Sequence, residues 1–386
     1  MKKLMFYCQH ILGIGHLIRS MEIVRGLIPD FHVCFINGGE VIQGFKIPPE
    51  IEIVNLPAIK TDSEFQNLQI PAGFNSVDEV LEIRKNQLLE IFGQFQPDIL
   101  MVELFPFGRR RFSAELIPLL EEAKAKGTKI VSSLRDIVVT KQNQVRHEEK
   151  VCRLMNQYFD MLLIHGDPQF VPLAESFSRV DDLNCQVHYT GYVVQRPPEI
   201  QAMPTLRKPM ILVSVGGGRF GHELLESVVK TAPLLQARLP HHIQIFTGPF
   251  VPDAVFANLQ NLAASQTNIT IERYTPHLLN YMQQADLSIS MSGYNTTMNI
   301  LMTGVRAMIL PFTGNNDQEQ TIRAKKLEQL GIVKAICSED LQAETFAHKI
   351  ITYLNEQPTA ATFDFNGVDK TSACLRRLFQ NQEVAA

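Results

Sequence analysis

Two hydrophobic patterns alternate along the chain. Short, nearly continuous apolar runs are typical of strands buried in a parallel sheet, and the longer stretches between them repeat apolar residues at helical spacing. We predict strands at residues 4–8, 31–36, 51–56, 97–103, 129–133, 161–164, 187–190, 210–215, 243–247, 269–272, 286–290, 305–311 and 332–336. We predict helices at residues 17–27, 75–95, 113–126, 138–155, 221–239, 253–264, 276–285, 317–330, 340–356 and 368–380. This alternation predicts an α/β protein with two doubly wound, Rossmann-like parallel sheets.

A segment without apolar periodicity divides this pattern in two. Residues 191–209 contain one glycine and several prolines, which are typical of a domain boundary. The predicted parts are an N-terminal domain, a linker, a second domain and a separate C-terminal helix, at residues 1–192, 193–208, 209–360 and 361–386. Residues 57–75 also lack a clear period, and a loop of that length in a compact domain is often functional.

Composition and charge narrow the class of protein. With 386 residues, 45% of them hydrophobic and 20% charged, the chain has the balance of a globular protein with two cores. Its net charge of -4 does not favour nucleic acid as a partner. The cysteines lack metal-binding spacing, so we expect reduced thiols and a cytoplasmic protein. The first apolar run stops at Gln9, too early for a signal peptide, and no run approaches the roughly 18 apolar residues of a membrane span.

Polar groups follow two successive strands of the second half. The strand at 286–290 runs into Ser292 and Gly293, and a helix is expected to begin near Asn295. The N-terminus of a helix carries unpaired N–H groups and a partial positive charge, which suit phosphate. After the next strand comes a polar loop, 314–324, that opens another helix. Ligands bind at this edge of open parallel sheets. The plain alternative is a strand–turn–helix unit capped by Asn or Thr.

A triple glycine follows the first strand of the second half. Gly216, Gly217 and Gly218 allow a ligand to approach the backbone closely, and Arg219 adds a cation beside them. The alternative is a flexible turn between strand and helix. We find no Asp-x-Asp pair to hold a metal ion with a diphosphate. The phosphate charge would then be met by helix ends, Arg219 and backbone N–H groups.

In the first half, candidate acid–base residues follow two predicted strands. Gly13-x-Gly15-His16 comes after the first strand, but Ile18 breaks the G-x-G-x-x-G pattern, which gives little support to a dinucleotide site. His16 begins the following helix and could take a proton from a hydroxyl. Glu103 ends a buried strand on the same edge and could orient that imidazole. The alternatives are a capping or surface histidine and a solvated strand-end acid.

Three consecutive arginines, residues 109–111, precede the helix at 113–126. We expect them to form the solvated start of that helix. Contact with an anionic acceptor or a weak peripheral contact with a membrane remains open.

Taken together, these motifs resemble those of GT-B glycosyltransferases, including the bacterial N-acetylglucosaminyltransferase that makes lipid II and the UDP-dependent enzymes of natural-product metabolism. Residues 291–299 follow the family pattern His-Cys-Gly-Trp-Asn-Ser-Thr-x-Glu, which holds the diphosphate and ribose, although Met291 replaces the His and Asn299 the Glu. Residues 319–324 resemble Asp/Glu-Gln-x-x-Asn-Ala, whose acid and amide hold the donor sugar. In this family a Gly-His pair supplies the base and a strand-end acid orients it, which Gly15-His16 and Glu103 match.

The resemblance implies two domains facing a cleft, with the acceptor on the N-terminal domain, the nucleotide sugar on the second, and a last helix that returns to the first. It implies a metal-independent, inverting transfer from a nucleotide diphosphate sugar, most simply a UDP-sugar, with no cofactor and an unidentified acceptor. His16 and Glu103 are the expected catalytic residues. The expected donor-binding residues are Gly15, Gly217, Gly218, Arg219, Tyr274, Thr275, Ser292, Gly293, Asn295, Thr296, Asn299, Glu319 and Gln320.

Two other functions stay open at this point. Residues 13–19 also resemble the nucleotide-sugar hydrolase of pseudaminic acid synthesis, in which the corresponding histidine activates water. A hydrolase or epimerase would use the same groups. A non-catalytic protein that binds a nucleotide sugar is the third possibility.

Overall fold

The computed structural model describes residues 1–11, 14–42, 45–61, 68–139, 143–195, 209–314 and 318–383. They form two compact units. The first comprises Met1–Val193 and Phe363–Ala386, and the second comprises Val194–Thr362.

A parallel sheet forms the centre of the first unit. Its strands in chain order, with the β4–β5 hairpin that lies outside the sheet, are β1 Lys2–Cys8, β2 Phe31–Asn37, β3 Glu52–Asn55, β4 Lys60–Thr61, β5 Leu68–Gln69, β6 Ile99–Glu103, β7 Lys129–Arg135, β8 Met161–His165 and β9 Gln186–Tyr189. Among the described residues the sheet order is β3-β2-β1-β6-β7-β8-β9, with every pair parallel. The order reverses between β1 and β6, and ligands bind at such a point.

Helices cover both faces of this sheet and bury an apolar core on each side. They are α1 Gly15–Leu27, α2 Val77–Phe95, α3 Ser113–Ala125 and α4 Gln144–Tyr158. The strands are almost completely buried because side chains on both faces of a doubly wound sheet contact helices.

The second unit repeats the design with a smaller sheet. Its strands are β10 Met210–Ser214, β11 His242–Phe246, β12 Ile269–Glu272, β13 Leu287–Met291, β14 Ala307–Leu310 and β15 Val333–Ala335. Their order is β12-β11-β10-β13-β14-β15, again all parallel, so the order reverses between β10 and β13. The helices are α5 His222–Gln236, α6 Asp253–Ala263, α7 Leu278–Gln284, α8 Tyr294–Thr303, α9 Glu319–Gln329 and α10 Ala343–Leu354.

The last helix, α11 Gly367–Glu383, belongs to the first unit and lies beside α1. Ser372 and Arg376 of this helix both donate hydrogen bonds to the carboxylate of Asp30, just after α1. Val368, Leu375 and Leu378 join the apolar core that α1 covers.

The predicted pair of parallel sheets is confirmed, and one local prediction is wrong. The helix expected at 138–155 begins only at Gln144. The Asp136 carboxylate accepts from the N–H of Ile137 and the Ser176 hydroxyl from the N–H of Val138, so these two N–H groups are bonded outside the helix. The segment 57–75 contains the β4–β5 hairpin, while residues 62–67 and most of the expected linker, 196–208, lie outside the described residues.

Within the described part of the chain, the helices are all too short or too polar to cross a lipid bilayer.

Candidate functional site

The first unit brings His16 and Glu103 together at the carboxyl edge of its sheet. Glu103 is the last residue of β6 and is fully buried, and His16 lies in the first turn of α1 with 17% of its side chain exposed. The Nδ1 atom of His16 lies 2.7 Å from Oε1 of Glu103. Arg19, one turn further along α1, donates to the same oxygen. Gly15 begins α1 beside this pair, whereas Gly13 lies outside the described residues.

Burial and neighbouring charges decide how this pair is protonated. Burial lowers the pKa of His16 from 6.5 to about 3; Glu103 opposes this effect, while Arg109 and Arg135 add to it. Burial raises the pKa of Glu103, but its electrostatic interaction and hydrogen bond with His16, together with the charges of Arg19 and Arg109, outweigh it and lower this pKa to about 2. Near neutral pH the carboxylate is ionised and can only accept hydrogen bonds. Nδ1 of the neutral imidazole therefore carries the proton, and Nε2 keeps a lone pair.

The prediction that Arg109 belongs to a solvated helix start is wrong. The helix begins at Ser113, after a 3-10 turn over Arg110–Phe112, and Arg109 precedes that turn with a left-handed backbone, φ 58°. Its side chain turns inward, and Nε donates to the carbonyl of Gln9 at 2.7 Å. Arg111 is exposed, as expected.

Arg84 of α2 is buried and donates hydrogen bonds to residues that follow three neighbouring strands, β1, β2 and β3. Nη1 donates to the carbonyls of Gly38 and Pro57, at 2.8 Å each, and Nη2 donates to Oε1 of Gln9 at 2.5 Å. The fully buried Glu115 of α3 balances the charge at 2.7 Å. Arg84 was not predicted to be buried, because only its position on the otherwise apolar side of α2 indicates burial.

The second unit places the start of α8 at the carboxyl end of β13. Gly293 is the N-cap, and no side chain caps this end, so the Asn or Thr cap of the plain alternative is absent. Asn295 and Thr296 lie half-buried in the first turn. The first turn carries no acidic residue, which leaves the positive end of the helix dipole unopposed by a side chain on that turn. Ser292 is buried, and its hydroxyl donates to the carbonyl of Gln320 at 3.2 Å.

The glycine loop 216–218 lies at the end of β10. Gly218 has φ 86°, and a Cβ there would come within 2.9 Å of the Val251 nitrogen and closer still to the Thr247 carbonyl. Gly217 is more open, since the nearest atom to a Cβ would be on the Phe250 ring at 3.5 Å. Arg219 lies over that same ring, 4.7 Å from its centroid.

Glu319 and Gln320 open α9, and both hold neighbouring protein groups. Glu319 is buried and pairs with Arg323 at 2.9 Å. Gln320 accepts a hydrogen bond from the N–H of Phe312 at 3.1 Å, so it ties α9 to the end of β14. Arg323 stands where the family pattern has Asn and was not predicted as a site residue. It is fully buried, donates to the Ser292 carbonyl at 3.4 Å and lies 5.6 Å from the Tyr294 ring centroid.

The remaining candidates are spread over the same unit. Asn299 is buried in α8, and its amide nitrogen lies 3.4 Å from Oε1 of Gln195. Its carbonyl Oδ1 has no hydrogen-bond partner among the described residues. Tyr274 is 55% exposed, and Thr275 accepts from the N–H of His277 at 3.1 Å. In the described ranges, no group of three acidic, histidine or cysteine side chains could hold a metal ion.

Comparison with known proteins identifies the second unit. Residues 210–366 match the family described as Glycosyltransferase family 28 C-terminal domain. The chain is a glycosyltransferase with the GT-B fold. It resembles the lipid II N-acetylglucosaminyltransferases and natural-product glycosyltransferases, as the sequence motifs predicted.

One relative and two solved structures match this glycosyltransferase over nearly its full length at low identity. The UDP-N-acetylglucosamine–N-acetylmuramyl-(pentapeptide) pyrophosphoryl-undecaprenol N-acetylglucosamine transferase of Oenococcus oeni is 21% identical, over 89% of this chain and 87% of its own. Among solved structures, Acinetobacter baumannii MurG matches with a TM-score of 0.59 and 16% identity over 99% of this chain and 100% of its own. S. aureus MnaA in complex with UDP matches with a TM-score of 0.63 and 13% identity, over 98% and 97%. These structures support the fold.

Proposed function

We propose that this glycosyltransferase moves a sugar from a nucleotide diphosphate sugar to an acceptor hydroxyl, with inversion and without a metal ion. The second unit holds the donor and the first unit supplies the base. The observation that carries the proposal is the neutral His16 imidazole, held through Nδ1 by the buried carboxylate of Glu103. A lone pair on Nε2 is what a general base needs.

The proposed donor site lies at the carboxyl edge of the second sheet. The diphosphate would lie at the start of α8, against the N–H groups near Asn295 and Thr296, with the open backbone at Gly217 and the cation of Arg219 on its other side. These groups supply the positive potential that a metal ion supplies elsewhere. UDP is the nucleotide we propose, because the Oenococcus oeni relative is named for UDP-N-acetylglucosamine.

In the transfer step, His16 takes the proton from the acceptor hydroxyl while its oxygen attacks the anomeric carbon. The bond from that carbon to the diphosphate oxygen breaks, and the diphosphate leaves with the electron pair. A single displacement from the opposite face inverts the anomeric centre. Glu103 keeps the imidazole in the correct tautomer and stabilises the imidazolium that forms.

A donor screen tests the first half of this proposal. UDP-, GDP-, ADP- and dTDP-sugars should be compared by thermal shift, because a bound ligand raises the apparent stability by mass action. We expect a UDP-sugar to stabilise the protein, with and without EDTA. No shift with any of the four nucleotides would contradict the donor assignment.

A product assay tests the second half. The stabilising donor should be incubated with and without candidate acceptors, and the anomeric configuration of the product determined by NMR. Transfer with inversion supports the proposal. Free sugar formed equally well without acceptor would identify a hydrolase, a new nucleotide sugar would identify an epimerase, and tight binding without any product would identify a binding protein.

A further inference from the structure

Arg323 of α9 is a fully buried cation that contacts the turn between β13 and α8. Its Nη1 atom donates to the carbonyl of Ser292 at 3.4 Å, and Nη2 pairs with Oε1 of Glu319, one turn earlier in α9, at 2.9 Å. The carbon at the centre of the guanidinium lies 5.6 Å from the ring centroid of Tyr294. A buried ion pair contributes little net stability, because the cost of desolvation offsets the attraction, so packing alone does not explain this arginine.

Neighbouring hydrogen bonds fix the turn that Arg323 contacts. The hydroxyl of Ser292 donates to the carbonyl of Gln320 at 3.2 Å, and the side-chain oxygen of Gln320 accepts from the N–H of Phe312 at 3.1 Å. The N–H of Ser292 donates to the carbonyl of Leu310, also at 3.1 Å. The first turn of α9 is therefore tied to the ends of both β13 and β14, and a shift of the β13–α8 turn relative to Arg323 would break these bonds.

The carbonyl that Arg323 binds belongs to the same peptide group as the N–H of Gly293. This peptide is trans, and in a planar trans peptide the C=O and the N–H point in opposite directions. Because the C=O of Ser292 is directed at a buried guanidinium, the N–H of Gly293 points away from the interior of the unit. A Cβ added at Gly293 would meet no atom beyond its chain neighbours and its own turn within 4 Å, so the space beside this residue is open to a ligand.

We propose that Arg323 is a positioning residue for the donor, which orients the peptide between Ser292 and Gly293 so that the N–H of Gly293 faces the diphosphate. This inference rests on the proposed function and assigns a role to a residue that departs from the family pattern. The N–H of Gly293 adds one donor to the unpaired N–H groups of the first turn of α8. Since the peptide is oriented before the donor binds, its dipole stabilises the charge that develops on the leaving diphosphate without reorganisation.

The proposed effect is one of orientation, and it can be separated from an effect of charge. Glu319 balances the guanidinium of Arg323 at 2.9 Å, so the pair as a whole presents little net charge to a bound diphosphate. Loss of Arg323 alone would release the peptide and would also leave the Glu319 carboxylate to repel the diphosphate. Replacing both side chains by Gln releases the peptide and leaves no unbalanced charge.

The test compares UDP with uridine, which lacks both phosphates, in ligand-observed NMR titrations of the full-length protein. The ratio of the two dissociation constants reports what the diphosphate contributes, and a smaller folded fraction weakens both ligands equally without changing this ratio. Arg323→Gln should reduce the preference for UDP about 10-fold, the scale of one hydrogen bond to a charged group. Arg323→Gln/Glu319→Gln should reduce it as much. Lys325→Gln removes a cation from the exposed side of the same helix and, as the matched control, should retain the full preference.

Two results would overturn this role. An unchanged preference for UDP in Arg323→Gln would show that the arginine does not position the peptide, and recovery in the double variant would show that the loss came from repulsion by Glu319. If neither UDP nor uridine binds the unaltered protein, the donor assignment falls, and isothermal titration with inorganic pyrophosphate replaces UDP for the same variants. Weaker pyrophosphate binding in both Arg323 variants, but not in Lys325→Gln, would then support the positioning role. Equal affinity in all of them, or no binding to any, would overturn it.

Discussion

Charged side chains crowd the carboxyl edge of the first sheet, whereas the same edge of the second sheet offers mainly backbone, glycine and hydroxyl groups. In the first unit, Glu103, Arg19 and Arg109 surround His16. In the second, β10 and β13 end in Ser214 and Met291, and Arg323, which donates to the Ser292 carbonyl, is paired with Glu319. The two units therefore share a fold but suit two different chemical tasks. Proton transfer needs charges that shift a pKa, and holding a diphosphate needs N–H groups that approach closely.

The largest effect is expected at the base of the first unit. His16→Ala should lower turnover about 10²–10⁴-fold, the usual scale for loss of a general base, and should leave donor binding unchanged. Nucleotide release with donor and acceptor measures turnover, and thermal shift measures donor binding. The control is His32→Ala, since His32 is also paired with a carboxylate, Glu52 at 2.7 Å, but lies on the exposed surface. Retained turnover in His16→Ala would show that His16 is not the general base.

The buried arginines should matter to stability in both units. Arg84→Met leaves the buried Glu115 carboxylate with the Tyr7 hydroxyl but without a cation, and should cost about 3–5 kcal/mol, as breaking a buried ion pair usually does. Arg323→Met removes the cation that pairs with Glu319 at 2.9 Å and should also destabilise the second unit. Urea unfolding measures both. If the double change Arg84→Met/Glu115→Met is as unstable as Arg84→Met, the loss does not come from the stranded charge.

Substitutions at two adjacent glycines of the second unit should distinguish a loss of stability from a loss of UDP binding. Gly218→Ala forces φ 86° on a residue with a Cβ, against the Thr247 carbonyl, and should cost on the order of 1–3 kcal/mol of stability. Gly217→Ala has room for its Cβ and should leave stability unchanged, yet weaken UDP binding if the diphosphate contacts this backbone. Isothermal titration with UDP and urea unfolding report the two effects. Unchanged UDP affinity in Gly217→Ala would place the phosphates elsewhere.

The smallest effect is a dependence of stability on pH that comes from two histidines of the first unit. Burial lowers the pKa of His165, like that of His16, from 6.5 to about 3. Between these values the unfolded chain binds protons that the folded chain does not, so stability is full above pH 6.5 and falls as the pH drops. Each histidine contributes about 1.4 kcal/mol per pH unit at most.

His165→Asn should remove one such contribution, and urea unfolding at pH 7, 6 and 5 measures the slope. His165 is fully buried between the hydroxyls of Ser133 and Thr190, at 2.8 and 2.9 Å, so Asn can replace part of this bonding. An unchanged slope would mean that the folded protein accepts a proton at His165.

Most of the fold followed from the apolar pattern, and so did the meeting of His16 with Glu103, because both follow parallel strands whose ends share one edge. Arg84 and Arg109 could not be predicted in the same way. Arg84 bonds to Glu115, 31 residues away, and Arg109 to Gln9, 100 residues away. Nothing in the local sequence of either arginine indicates a partner at such a distance, and a run of arginines is usually solvated.

The sequence by itself determined that strands and helices alternate, that two parallel sheets form, and that glycines, hydroxyls and His16 follow particular strands. Periodicity suffices for this, since burial of one face repeats with the geometry of each element. Only the tertiary structure decided that His16 is neutral, that Glu103 is ionised and that Arg109 has no carboxylate beside it among the described residues. Ionisation depends on burial and on distances between charges, and both are set by how distant segments pack together.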